Sequence, residues 1–344
     1  MKACVLHNIG DLRYEDVAMP QPQSGEVLLR IRASGICGSD LQRVFEKGTY
    51  HFPTIPGHEF AGEIIEAADR SDGWLVGKKA AVFPLLPCRT CASCEMGEYA
   101  QCKDYDYYGS RRDGGFAEYL CVKTWNLVLV PDDISYEEAA MCEPAAVAIH
   151  ALSQAIVTFG DTVAIFGAGT IGMMLAKIAR AWGAGRIILA DIDEAKLDFA
   201  KRLGFKDTIN SAQSDPLEAV MAMTGGNGSD VTVEGTGVSA ALENSVRVSA
   251  TFGRVVLMGN PAGSMALSQK AYWEILRKQL TLKGTWNSSF NAARNDWKKA
   301  IAAMPELGLR ELITHRYTLS QCNQAFDLLR NRNEFVVKAM FINE

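Results

Sequence analysis

The feature that most restricts what this chain can become is a sixfold alternation of strand-like and helix-like patterns in its middle third, with glycines at the first junction. Short runs at 162–166, 186–190, 207–210, 230–234, 254–258 and 280–284 are expected to be strands. Stretches between them, such as Ile171–Trp182 and Glu194–Leu203, carry helical patterns. Strands joined through helices run parallel, so six such units predict an α/β fold with a doubly wound parallel sheet. A length of 344 residues suits about two domains, and the texture changes on both sides of the repeat. Residues 1 to ~150 are rich in Gly, Pro and short β-like runs such as Glu26–Arg32 and Phe116–Val122. Residues ~286 to 344 hold a helical stretch, Gln321–Leu329, and a last strand, Phe335–Ile342. The expected division is therefore 1–150, 151–285 and 286–344, with the last segment returning to the first.

The glycines have a chemical reading. Gly167-Ala-Gly169-Thr170-Ile171-Gly172 follows the strand 162–166 and opens the next helix. The first glycine permits a tight turn, the second lets backbone approach a pyrophosphate, and the third lets helix pack on strand. The free N–H groups at the helix start then face the phosphates. Asp191 ends the second strand, at the spacing of an acid that receives ribose hydroxyls. Its charge would repel a 2′-phosphate, and Ile192-Asp193-Glu194 offer no arginine, so NAD is expected over NADP. The competing reading is a turn chosen only for packing, with Asp191 as a helix cap.

Composition bounds the rest. Lys plus Arg is 35 against 40 for Asp plus Glu, a net charge of −5 that gives no footprint for nucleic acid. No stretch approaches the ~20 apolar residues of a membrane span; the most apolar, 162–181, is cut by three glycines. Met1-Lys2-Ala3-Cys4 begins an alternating pattern rather than a signal peptide, so a cytoplasmic location is expected. Nine cysteines, an odd number, argue against a disulfide framework. Four of them form Cys88-x2-Cys91-x2-Cys94-x7-Cys102 within a lobe at 85–105. Four thiolates on a short loop suit closed, tetrahedral, structural zinc. An iron–sulfur run would place its fourth cysteine after three residues and follow it with proline; here the gap is seven and Lys103 follows.

Cys37, in Gly35-Ile-Cys37-Gly38-Ser39-Asp40, and His58, in Gly57-His58-Glu59, offer a second soft donor set, with Glu143 far along the chain. Three protein ligands would leave a fourth position for substrate. By spacing alone, these residues could equally be core and hydrogen-bonded structural groups.

Taken together, Gly57-His58-Glu59, the four-cysteine lobe and the later glycine loop resemble the zinc-dependent medium-chain alcohol and polyol dehydrogenases over essentially the whole chain. Cys37-Gly-Ser-Asp40 with Glu143-Pro-Ala-Ala-Val-Ala-Ile-His150-Ala resembles the sorbitol dehydrogenase branch. Leu85-Leu-Pro-Cys88, Gln101-Cys-x-x-Tyr-Asp106 and Gly109–Tyr119 are similar to dehydrogenases of galactitol 1-phosphate. The resemblance implies a Rossmann sheet inserted into a mostly β GroES-like catalytic domain, with the active site in a cleft. It implies two zinc ions per chain, NAD, a small sugar alcohol or its phosphate as substrate, and a homodimer or homotetramer. Residue by residue, it makes Cys37, His58 and Glu143 the catalytic zinc ligands and places Glu59 beside the metal. Cys142 is an ambiguity, since some relatives use a cysteine there. Ser39 matches the proton-relay hydroxyl and Asp40 the carboxylate that orients the ligand histidine. Some relatives carry a relay histidine where Gln42 stands, which leaves the outer proton route open, with His51 a candidate. Arg111, on a glycine-flanked loop, is a candidate phosphate ligand. Trp286 and Asn287 are candidates to line the site. The implied reaction is oxidation of a secondary alcohol. Competing readings are an unphosphorylated polyol, a vicinal diol or threonine as substrate, or a redox-sensing dinucleotide module with structural zinc alone.

Overall fold

The computed structural model describes residues 1–331 and 333–343. It divides into two units, Met1–Ala146 with Ser288–Glu344, and Val147–Asn287.

The first unit is built on a seven-stranded mixed sheet. Its strands lie in the order Ile313–Tyr317, Lys338–Ile342, Glu26–Gly35, Glu59–Ala67, Lys79–Val82 and Leu127–Leu129, and Tyr119–Lys123 also pairs with Glu26–Gly35. Glu26–Gly35 is the hub. Its first half pairs with Tyr119–Lys123, its last residues with Lys338–Ile342, and its other edge with Glu59–Ala67. Val27, Leu29 and Ile31 on this strand join Phe60, Ile64, Val82, Phe116, Phe326 and Phe341 in one buried cluster. Each such side chain contributes about 1.5–3 kcal/mol when fully buried. The last strand begins at Lys338 rather than at the expected Phe335, because the Val337 N–H donates to the Thr314 side-chain Oγ1 at 3.1 Å instead of to the backbone of the neighbouring strand.

One detail of register positions the site. Gly35 and Glu59 are antiparallel partners at the ends of their strands. Cys37, two residues beyond one, and His58, one residue before the other, therefore come together from distant parts of the chain.

The second unit holds six parallel strands. In chain order they are Thr162–Phe166, Arg186–Asp191, Asp207–Asn210, Ser229–Glu234, Ser249–Leu257 and Thr281–Gly284, and across the sheet they run 3-2-1-4-5-6. Val163, Ile165, Ile188, Leu189, Val231, Val233, Val255 and Val256 are buried, as expected of strands covered on both faces. This order places a ligand crevice at the carboxyl end of the first strand, where the chain reverses direction across the sheet. The division between the units falls inside the helix Cys142–Ala155, between Ala146 and Val147, where the helix runs on without a break to mark it. Among the described residues, no helix is long and apolar enough to cross a membrane.

Candidate active site

Cys37 caps the short helix Gly38–Gln42, which passes into a π-helical turn, Arg43–Lys47. Asp40 is fully buried at the first turn of that helix. Its carboxylate accepts the Cys37 N–H at 2.9 Å and the Arg43 Nη1–H at 2.9 Å, and it lies 3.3 Å from His58 Nδ1. Burial pushes its pKa up, but His58, Arg43 and the Cys37 amide outweigh burial and hold it at about 2. Burial works against a charged His58 as well, and there Asp40 and Cys37 raise the imidazole well above its ordinary value. Arg43 Nη1 also donates to Ser39 Oγ at 3.0 Å and stands 3.4 Å from His58 Nδ1. Ser39, Asp40 and Arg43 share one helix face because residues three and four apart are neighbours there. Gly57 has φ +96°, and a Cβ on it would overlap the Phe116 ring, so the chain turns tightly just before His58.

Cys37, His58 and Glu59 form a compact set whose donor atoms all lie within 4.8 Å of one another. A thiolate, an imidazole and a carboxylate at that separation fit a zinc-type divalent ion. Glu59 is paired with Lys338 Nζ, which also donates to Ile36 O at 3.0 Å, and both side chains are buried. A Cβ on Gly35 would overlap the Glu59 carboxylate, which accounts for a glycine at that strand end. Glu143 stands outside the compact set, so Glu59 rather than Glu143 is the carboxylate grouped with Cys37 and His58. The reason is local: Lys338 holds Glu59 against the strand end, whereas Glu143 sits in the first turn of its own helix. Glu143 is nonetheless buried and interacts with the same groups. Desolvation pushes its pKa to about 7, with His58 and Lys338 opposing and Glu59 and Asp40 adding to the rise. Cys142 turns elsewhere, its thiol directed to the Trp297 carbonyl at 3.7 Å.

The four-cysteine lobe is assembled. The Cys91–Cys94, Cys88–Cys94 and Cys91–Cys102 sulfurs are 3.6, 3.9 and 3.9 Å apart, and the Cys88 N–H donates to Cys102 Sγ at 3.3 Å. A zinc tetrahedron with ~2.3 Å Zn–S bonds has an edge of about 3.8 Å, which these separations fit. All nine cysteines are free thiols.

In the second unit, Gly167 has φ +104°, and a Cβ on Gly172 would overlap the Gly167 carbonyl. The tight turn and the close helix–strand approach are therefore both present. Thr170 and Ile171 open the helix Thr170–Ala181, with Gly169 at its N-cap. Asp191 is not a helix cap, the role Asp193 fills. Its carboxylate accepts the Ala168 N–H at 2.7 Å and the Asp193 N–H at 3.0 Å, with Lys196 Nζ 3.5 Å away. The acid thus braces the glycine loop while remaining at the strand end.

The outer candidates are occupied elsewhere. Gln42 is exposed and accepts from Lys47 Nζ at 3.2 Å. His51 contacts Pro53 O at 3.2 Å, Arg111 O at 3.0 Å and Thr54 Oγ1 at 3.1 Å. Arg111 lies over the rings of Tyr50 and Tyr105, at 4.3 and 4.4 Å, and donates to Tyr105 O at 2.8 Å. Trp286 is exposed, and Asn287 has φ +58°. Three basic residues at these sites escaped sequence reading: Arg43, Lys338 and Lys196. The only signal for Arg43 was its spacing from Asp40 and Ser39 on one helix face.

Two family descriptions match the chain: an alcohol dehydrogenase GroES-like domain over residues 23–132, and a zinc-binding dehydrogenase over residues 170–306. Galactitol 1-phosphate 5-dehydrogenase of Escherichia coli (strain K12) is 36% identical over 336 residues, covering 96% of this chain and 97% of that one. Sorbitol dehydrogenase of Bacillus subtilis (strain 168) is 32% identical over 100% of this chain and 98% of its own. The crystal structure of galactitol-1-phosphate dehydrogenase from Escherichia coli superposes with a TM-score of 0.94 at 34% identity, covering 100% of both chains. An alcohol dehydrogenase from Escherichia coli CFT073, solved with NADH, gives a TM-score of 0.90 at 26% identity, over 100% of this chain and 99% of that one.

Proposed function

The chain belongs to the zinc-dependent alcohol dehydrogenase family, and from that premise we propose that it oxidises a secondary alcohol of a sugar-alcohol phosphate, galactitol 1-phosphate, to the ketone, tagatose 6-phosphate. The observation that carries the chemistry is the compact set of Cys37, His58 and Glu59, with Glu143 buried and interacting electrostatically with it and Ser39 joined to it through Arg43. Zinc held there supplies Lewis-acid polarisation of the hydroxyl, and NAD supplies the hydride acceptor. Cys37 and His58 are proposed ligands, with Glu143 the third by the family resemblance, and Glu59, grouped with them and paired with Lys338, would lie beside the metal. Asp40 fixes the orientation of the His58 ring, as carboxylates behind metal-bound imidazoles commonly do. Ser39 takes the hydroxyl proton. Gly167–Gly172 would receive the pyrophosphate of NAD on its backbone, and Asp191, with Lys196 beside it, would meet the adenosine ribose. The Cys88, Cys91, Cys94 and Cys102 site braces its lobe and does no chemistry.

The phosphorylated substrate is supported by the 36% identity to galactitol 1-phosphate 5-dehydrogenase over 96% of this chain, together with the resemblance carried by Leu85–Cys88, Gln101–Asp106 and Gly109–Tyr119. A second reading, an unphosphorylated polyol, 2,3-butanediol or L-threonine, is favoured by the state of Arg111, whose guanidinium is already engaged between two tyrosines. Initial rates of NAD reduction with galactitol 1-phosphate, galactitol and sorbitol decide between them. The first reading predicts strong preference for the phosphate ester; equal or better rates with free polyols would leave a general polyol dehydrogenase. We place the enzyme in the cytoplasm as a homodimer or homotetramer, with the edge strand Thr281–Gly284 as the candidate contact between copies.

A further inference from the structure

We propose that Arg43 is a positioning residue for proton release: it occupies one lone pair of Ser39 Oγ, leaving the other to accept the substrate's proton while the serine passes its own proton outward to water. The inference rests on the alcohol-oxidation reading of this site and adds a residue to it. A single guanidinium nitrogen, Nη1, donates to Ser39 Oγ at 3.0 Å and to Asp40 Oδ1 at 2.9 Å, and lies 3.4 Å from His58 Nδ1. Arg43 therefore joins the proton-accepting hydroxyl to the carboxylate that orients the metal-ligand histidine. It is the first residue of the π-helical turn, a distortion often found at functional sites.

The side chains that would otherwise carry the proton onward are turned away. Gln42 accepts from Lys47, and both ring nitrogens of His51 face oxygens of its own loop and of Arg111. A hydroxyl has one O–H and two lone pairs. With one lone pair taken by Arg43, the substrate O–H has a single acceptor site on Oγ, and the serine O–H is left to point outward. The transfer balances. The substrate O–H bond breaks as a new Oγ–H bond forms, and the old Oγ–H bond breaks as water takes that proton. Arg43 remains a cation throughout, since guanidinium does not deprotonate in proteins. Its charge also favours the negative charge that crosses Oγ during the exchange.

A double-mutant cycle tests this with Ser39→Ala, Arg43→Gln and the pair, read as kcat beside metal content and the KM for NAD. Arg43→Lys serves as the conservative control. We expect Ser39→Ala to lower kcat about a hundredfold, and Arg43→Gln about tenfold. In the Ser39→Ala background, Arg43→Gln should cost less than about twofold more, because residues acting as one unit are not additive. Arg43→Lys should recover most of the loss, and every variant should keep two metals per chain and its KM for NAD. The proposal is overturned if the tenfold loss persists without Ser39, or if it tracks metal lost from the Cys37 site, since Arg43 would then act only through Asp40 and His58. Wild-type protein that reduces no NAD with any alcohol would instead remove the reading on which the proposal stands.

Discussion

Asp40 and Asp191 are both short acids at the start or end of an element, and each accepts from a nearby backbone amide. Asp40 serves the metal locus by tying the Cys37 amide, Arg43 and His58 to one carboxylate. Asp191 ties the glycine loop to the strand end through the Ala168 N–H. Removing it should loosen the loop and delete the proposed acceptor for the ribose. Asp191→Ala is expected to raise the KM for NAD ten- to a hundredfold, the scale of one or two charge-assisted hydrogen bonds, and to leave the KM for the alcohol within about twofold. An unchanged KM for NAD would contradict the assignment. The four-cysteine run stood out by its spacing, whereas Cys37, His58, Asp40 and Glu143 stood out only through the family resemblance. Arg43 and Lys338 did not stand out, because lysine and arginine are mostly solvent-exposed and only the fold shows them paired in the interior.

The strands of the Val147–Asn287 unit were legible as elements. Buried parallel strands are short apolar runs, and the helices between them have their own period. Their ends were less so. The helix after the glycine loop runs Thr170–Ala181 against an expected 171–182, and the fifth strand begins at Ser249, well before 254, because Ser249 pairs with Ser229 ahead of a register shift. The four-cysteine lobe was legible from spacing alone, but its bracing was not. Tyr99 and Arg89 pack on Trp125, Asn291 donates to the Gly97 carbonyl at 2.9 Å, and Phe83 stacks on Phe290 beside Trp297. The contacts of Asn291, Phe290 and Trp297 reach across about two hundred residues of sequence, which no local pattern reveals. Because metal and aromatic packing both hold the lobe, Cys94→Ser should remove one metal per chain and lower Tm by roughly 5–10 °C without unfolding the protein. Thermal melts with metal analysis check this. A variant with both metals and an unchanged Tm would show that the lobe is held without the ion.

For the molecule as a whole, the sequence carried the class of chemistry further than its object. The four-cysteine run, the glycine loop and an acid at the right interval are short patterns with few alternative uses; Cys37, His58 and Glu143 read as a second donor set only through the family resemblance, and together these point to zinc- and NAD-linked oxidation. The alcohol is specified by cavity shape and by where a few hydroxyl and phosphate partners stand. Those positions come from several loops at once, and Arg111, the one residue singled out for a phosphate, is found between two tyrosine rings. The division of labour is the firmer prediction: one metal, with Cys37 among its ligands, serves the alcohol, while the glycine loop serves the nucleotide. The most direct test is to compare wild type and Cys37→Ala for metals per chain, NADH binding and NAD reduction by the preferred alcohol. The account predicts that the variant falls from two metals to one, binds NADH as wild type does, and loses turnover. A variant that keeps its turnover, or that loses NADH binding along with it, would contradict the account.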